Sequence, residues 1–236
     1  VTGPDGVTLN DGFDGDTDRR IATDVVIGGL DDEGYAPHVY RVTVVASVPL
    51  HFTDVEDDGT GSPACTAAPG GNLTEQGLNN AATLTDETGG TQTDTDCAPV
   101  PSIDITKTMD GTPVAGADGS WTVAYTVTAT NDGAAAGVYD LTDRLRYGAG
   151  IEVRTAKVTA APDGVTPSGS WTGQGAEGDP ANVVATGVSL AAGAVHTYRV
   201  EVVATLDTEQ ADDTTFTCPE PGTDDAERLT LAVVLG

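Results

Sequence analysis

With 37 Asp and Glu against 10 Lys and Arg in 236 residues, the chain carries a formal charge of −27, a field that repels phosphate backbones and anionic headgroups and so excludes nucleic acid as a partner. Leu, Ile, Val and Phe make up only about a fifth of the residues, near the limit at which a highly charged chain fails to build a core. No stretch approaches the roughly 18 consecutive apolar residues of a membrane span, so no membrane insertion is expected in this segment. The apolar residues nevertheless fall in alternating runs broken by Gly, Pro, Asp and Asn, the pattern of half-buried strands and their turns.

The chain opens on Val1, which reads as the start of an internal piece of a longer protein. Pro4-Asp5-Gly6 is a turn signal, because Gly adopts positive φ freely and Asp bonds its own backbone. Asp11, Asp14, Asp16 and Asp18 then crowd a Gly-containing loop, an oxygen-rich cluster suited to structural calcium, without the twelve-residue EF-hand pattern. His38 to Ala46 alternates as a strand. Asp54, Glu56, Asp57 and Asp58 form a second acidic loop, and Asn72-Leu73-Thr74 is a formal glycosylation sequon. Leu78 to Leu84 reads as a strand, with Asn80 in phase with Leu78, Ala82 and Leu84. Thr91 to Pro101, polar and poor in Gly, reads as the linker between domains.

Beyond it, Ser102 to Met109 and Ser120 to Thr130 read as strands. In the latter Trp121, Val123, Tyr125, Val127 and Ala129 form an apolar face opposite a row of threonines, which predicts a buried Trp121. Asn131-Asp132-Gly133 and Pro162-Asp163-Gly164 are turns, the segment from Val138 to Leu145 is extended, and Trp171 is a core candidate. His196, Tyr198, Val200, Val202 and Ala204 share the inner face of a late strand. No segment shows a helical apolar stripe, so the expectation is an all-β sandwich.

The sequence matches itself at a shift of 158 residues: Pro4-Asp5-Gly6-Val7-Thr8 onto Pro162-Asp163-Gly164-Val165-Thr166, and His38-Val39-Tyr40-Arg41-Val42 onto His196-Thr197-Tyr198-Arg199-Val200. Phe13 falls on Trp171, and Val25-Val26 on Val183-Val184. A shorter shift aligns Cys65 with Cys218. Residues 1–98 therefore read as the back portion of one β-sandwich repeat lacking its N-terminal strands, and residues 99–236 as a second, nearly complete repeat. Either a neighbouring chain or a longer parent chain is expected to supply the missing strands. In this register Cys65 and Cys97 bridge across the last hairpin of the first repeat, while Cys218, the copy of Cys65, is left as an unpaired thiol. His38 and His196 hold the same repeat position, which fits a packing role and not catalysis; no catalytic residue is assigned.

Ile103-Asp104-Ile105-Thr106-Lys107-Thr108, the strand from Trp121 to Val127, Tyr139-Asp140-Leu141-Thr142-Asp143 and Leu190-Ala191-Ala192-Gly193-Ala194 resemble the conserved repeat domain of large Gram-positive, especially actinobacterial, surface proteins. The resemblance extends to Leu78-Asn79-Asn80-Ala81-Ala82-Thr83-Leu84. It implies immunoglobulin-like sandwiches strung into stalks, a structural or adhesive role outside the cell, and neighbouring repeats or subunits of the same protein as partners. It implies no ligand, and no cofactor is expected beyond the structural calcium that the acidic loop would suit. A carbohydrate- or protein-binding module is the alternative, and would need an exposed aromatic platform.

Lys107 shares the phase of Ile103 and Ile105, which turns an ammonium toward the core, where it must be paired or neutralised. In several families of surface sandwiches such a lysine attacks an Asn side chain on the last strand to form an isopeptide bond. Asn80 fits as the Asn of the first repeat, with its lysine outside the chain. Its counterpart in the second repeat is Leu231, which has no side-chain carbonyl, so Lys107 is expected to pair with Asp140 or Asp143 instead.

Overall fold

A computed structural model describes residues 1–28, 37–48, 65 and 77–212. The described elements are nine strands, paired antiparallel, and one 3-10 turn at Pro180–Asn182. The chain divides into two compact units, Val1–Val48 and Pro49–Gly236.

The second unit begins with a hairpin, β1 (Leu78–Thr85) and β2 (Thr91–Ala98), paired without interruption from Leu78↔Ala98 to Thr85↔Thr91. The tight connection is set by Asp86, whose carboxylate accepts the N–H groups of Thr88 and Gly90, each at 2.8 Å. The segment read as a polar linker is thus largely a strand. Its threonines at 91, 93 and 95 are β-branched and favour the extended backbone whether or not they are buried, and Thr93 meets Thr83 across the pair at 2.9 Å. At the far end of that segment Val100 is buried, as is Ser102 just beyond it.

That domain has a five-stranded sheet and a two-stranded sheet enclosing one apolar cluster. The larger sheet runs β3 (Ile103–Met109), β5 (Ser120–Asn131), β9 (Val195–Leu206), β7 (Ile151–Ala160), with the short β4 (Val114–Ala115) also on β5. The smaller pairs β6 (Gly137–Thr142) with β8 (Val183–Leu190). Alternation along β5 and β9 turns Val127, Ala129, Tyr198, Val200 and Val202 inward, against Tyr139, Leu141, Val188 and Leu190 of the opposite sheet, and Trp171 closes one side. Each fully buried Val or Leu among them contributes about 1.5–3 kcal/mol.

Asn131 ends β5 as more than a turn residue. Fully buried, it accepts from the N–H groups of Ser102 and Gly133 and donates to the carbonyls of Ala135, Leu190 and Ala191. One side chain thereby fastens the entry to β3, the turn after β5 and the turn after β8.

Trp121 departs from its expected place: it is 47% exposed, and Met109, on the same face, is exposed as well. Alternation places a residue on the inner face but does not say how far the covering layer reaches. β5 and β9 have 12 residues each, whereas β6 has 6 and β8 has 8, so the start of β5 runs past its cover.

The first unit has no extended strand pairing among its described residues; the run His38–Ala46 makes a single bridge, Thr2↔Arg41, and a second bridge joins Leu9 to Ala22. Three of its local features nevertheless recur 158 residues later. Thr2↔Arg41 matches Ala160↔Arg199 of β7 and β9. The turn bond from Val7 N–H to Pro4 C=O, 3.3 Å, matches Val165 to Pro162, 3.0 Å, and Phe13 to Asn10, 3.2 Å, matches Trp171 to Ser168, 3.4 Å. Gly6 and Gly164, at φ +82° and +80°, supply the left-handed residue that this turn requires.

Candidate functional site

Lys107 projects from β3 to the inner face, as its phase with Ile103 and Ile105 dictates, and its ammonium donates to Asp143 Oδ2 at 2.7 Å. The lysine side chain is 10% exposed and the aspartate not at all. Lys107 Nζ also lies 4.7 Å from the ring centre of Tyr125, two residues before Val127 on the adjacent strand, where the ring face attracts a cation. Asp140, the other carboxylate weighed for this lysine, is engaged elsewhere: its Oδ1 accepts Gly187 N–H at 2.6 Å and braces the irregular pairing of β6 with β8.

Asp143 is held on every side. Its N–H donates to Asn182 C=O and its own C=O accepts the Trp171 indole N–H, both at 2.8 Å. Asn182 is fixed in turn by Gly175 and Ala176. The carboxylate thus arrives at Lys107 pre-aimed, while its second oxygen, Oδ1, is buried with no hydrogen-bond partner among the described residues. Burial lowers the Lys107 amine to about 8 against the opposing pull of Asp143, and raises the Asp143 carboxyl against the pull of Lys107. Both shifts favour neutral forms, as expected of charges taken out of water. Nearby Tyr147 is held above its ordinary range by burial first and by Tyr125 second.

A second polar group crosses the sandwich. The Tyr139 hydroxyl of β6 is shared between Tyr198 OH at 2.8 Å and His196 Nδ1 at 2.9 Å, both on β9. Burial is the first cause that keeps both tyrosines protonated. His196 is thereby occupied in a structural contact.

The disulfide is present: Cys65 and Cys97 are bonded with Cα atoms 5.8 Å apart. Gly77, at φ +50°, faces it; a Cβ there would lie 2.7 Å from Ala98 C=O and 2.9 Å from Cys65 Sγ. Cys218, Leu231, the acidic run from Asp54 to Asp58 and the sequon at Asn72 lie outside the described residues. Asn80 is exposed on β1, in a hairpin whose Leu78 and Leu84 are exposed too.

In the acidic loop the carboxylates turn onto their own chain. Asp14 accepts the Thr17 hydroxyl and the N–H groups of Asp16 and Asp18, and these bonds, the Thr17 one foremost, lower its carboxyl to about 2. Asp18 accepts Asn10 Nδ2 at 2.9 Å and Arg20 N–H at 3.2 Å. Neither Asp11 nor Asp16 joins them: among the described residues no group of three or more His, Cys, Asp or Glu could hold a metal ion. Among the same residues no helix is long and apolar enough to cross a membrane.

Sequence reasoning singled out Lys107 by its phase. The same signal, a polar residue in step with Val127 and Ala129, marks Asn131. Tyr139 and His196 stand 57 residues apart, and no local pattern joins them. Comparison with known proteins adds no assignment: no family model, no curated protein and no solved structure matches the chain.

Proposed function

We propose that the chain is a non-enzymatic segment of an extracellular, repeat-built stalk or adhesin, composed of tandem immunoglobulin-like sandwiches of which residues 1–98 carry an incomplete copy. The observation that carries this reading is the recurrence, at one shift of 158 residues, of the Thr2↔Arg41 pairing in Ala160↔Arg199 and of two turn bonds. A sequence duplicated so closely that its loops keep their hydrogen bonds is a building unit used more than once. The Cys65–Cys97 bridge supports an oxidising compartment. The Lys107–Asp143 pair serves in this reading as a fixed internal brace, with no substrate to act upon.

Protease treatment of intact cells of the source organism, followed by mass spectrometry of the released peptides, tests this. Peptides of this chain should be shed with the Cys65–Cys97 bridge intact; recovery only from lysed cells, with reduced thiols, refutes the reading. The half-exposed Trp121 favours a second reading, a carbohydrate- or protein-binding module, because an exposed indole is what sugar rings and partner surfaces pack on. A glycan array probed with the chain and with Trp121→Ala separates the two: a signal lost in the variant establishes the module.

A further inference from the structure

We infer that residues 98–102 form a stiff coupling, gripped by the sandwich at one end and fixed by two prolines along its length, which holds the β1–β2 hairpin in one orientation on the sandwich that follows. The inference goes beyond the stalk reading and does not rest on it. Only Pro99 separates Ala98, the last paired residue of β2, from Val100, which is 4% exposed. Proline locks its own φ at about −65° and drives the residue before it to extended backbone. In Ala98-Pro99-Val100-Pro101 both effects act twice, so the torsions that a hinge would turn are already committed. A proline-rich connection of this kind is a semi-rigid spacer, unlike a glycine-rich one.

The grip is built where β5 turns into β6. Asn131 Oδ1 accepts the Ser102 N–H at 3.1 Å, and the Ser102 C=O accepts the Asp132 N–H at 2.8 Å. Gly133 and Gly137 are both buried and lie hard against the same segment. A Cβ at Gly133 would stand 2.6 Å from Val100 O and from Pro101 C, and one at Gly137 would stand 2.8 Å from Pro101 Cβ. The two glycines thus leave a slot that any side chain would fill, and Val100-Pro101 occupies it. Beyond the slot Ile103 is fully buried, so the chain has no slack on that side.

Among the described residues the hairpin's own surface offers no other mounting. Every residue of β1 and β2 is exposed except Asn79, Thr95 and Cys97, which lie on the face of the disulfide. A two-stranded ribbon that buries neither face is marginal by itself. Its order comes from its mouth, where Cys97 is tied to Cys65 and Ala98, paired with Leu78, runs straight into the coupling. Two constraints on consecutive residues leave the hairpin mounted on the sandwich, pointing in a direction that Asn131, Gly133 and Gly137 set.

Residual dipolar couplings of the weakly aligned full chain provide the test. Backbone amides of β1–β2 and those of β3–β9 should fit one alignment tensor in the natural chain. Pro99→Gly with Pro101→Gly frees both torsions without removing a hydrogen-bond donor. It should reduce the hairpin couplings about twofold or more relative to those of the sandwich, as a flexible glycine connection allows. Amide exchange across β3–β9 checks that the sandwich stays folded in this variant; should it not, Pro99→Gly alone, at an exposed position, takes its place. The inference is overturned if the hairpin couplings of the natural chain are already averaged. It is equally overturned if the folded variant keeps one tensor, since something other than the coupling would then hold the hairpin. Either result leaves the cell-surface release test standing, and failure of that test leaves this one untouched.

Discussion

The two units are built on one sequence pattern and end in different states. In the second, the late strand from His196 to Ala204 is flanked by β5 and β7, and its inward residues vanish from solvent. In the first, His38–Ala46 repeats that pattern yet makes one bridge among the described residues, with Val44 exposed. Alternation specifies which face would be buried, but burial needs a second layer. A strand pattern is a half-statement that only the facing sheet completes.

The largest expected effect comes from opening the closed unit. Asn131→Ala should cost about 4–5 kcal/mol, because it strands the buried N–H groups of Ser102 and Gly133 and three carbonyls together. Amide exchange should show protection falling throughout β3–β9 and unchanged in residues 1–48. Equal loss in both units would mean that they are not independent.

Asp143→Ala should cost about 3–4 kcal/mol by leaving Lys107 buried without its carboxylate, and Lys107→Met with Asp143→Leu should recover most of it. Denaturant melts of the two single variants and the double variant give the coupling directly; a double variant as unstable as Asp143→Ala would show that the pair is not the source of the cost. Tyr139→Phe should cost about 1–2 kcal/mol and shift the His196 ring signals in NMR, because its Nδ1 loses the phenol.

The smallest effect is a pH slope. Lys107 holds its proton to about 8 when folded, against 10.5 when unfolded. Below pH 8 both states carry it and the burial penalty is fully present. Between about 8 and 10.5 the unfolded chain binds more protons, so this group makes stability rise with pH. Above about 10 the buried tyrosines, protonated when folded and ionising when unfolded, reverse the slope. Melts from pH 7.5 to 9.5 should show the rise in the natural chain and none in the Lys107→Met, Asp143→Leu variant; equal slopes would place the titration elsewhere.

Much of this was legible in the sequence for a physical reason. Strand period, glycine at turns and the inward phase of Lys107 are local properties, and Tyr198, Val200 and Val202 lie where alternation puts them. What escaped was set by length and distance. Trp121 has the right phase but outruns its cover. Thr91–Ala98 looks like a linker because its side chains are polar, yet strand pairing is made by the backbone. The choice of Asp143 over Asp140 depends on Trp171 and Asn182, which reach it from distant parts of the chain.

The Cys65–Cys97 bond also determines how the chain would carry a pull. β1 and most of β2 lie inside the loop it closes, a separation of 32 residues spanned by a 5.8 Å Cα–Cα gap. Tension applied along the chain would enter the sulfurs at Cys65 and leave at Cys97, so the disulfide is a covalent bypass and the hairpin would bear no load. About 100 Å of contour, at roughly 3.3–3.6 Å per residue, is thereby withheld from extension. A hairpin too small to resist force on its own would then need no resistance, and the contour closed by the bond would stay closed until a reductant opened it.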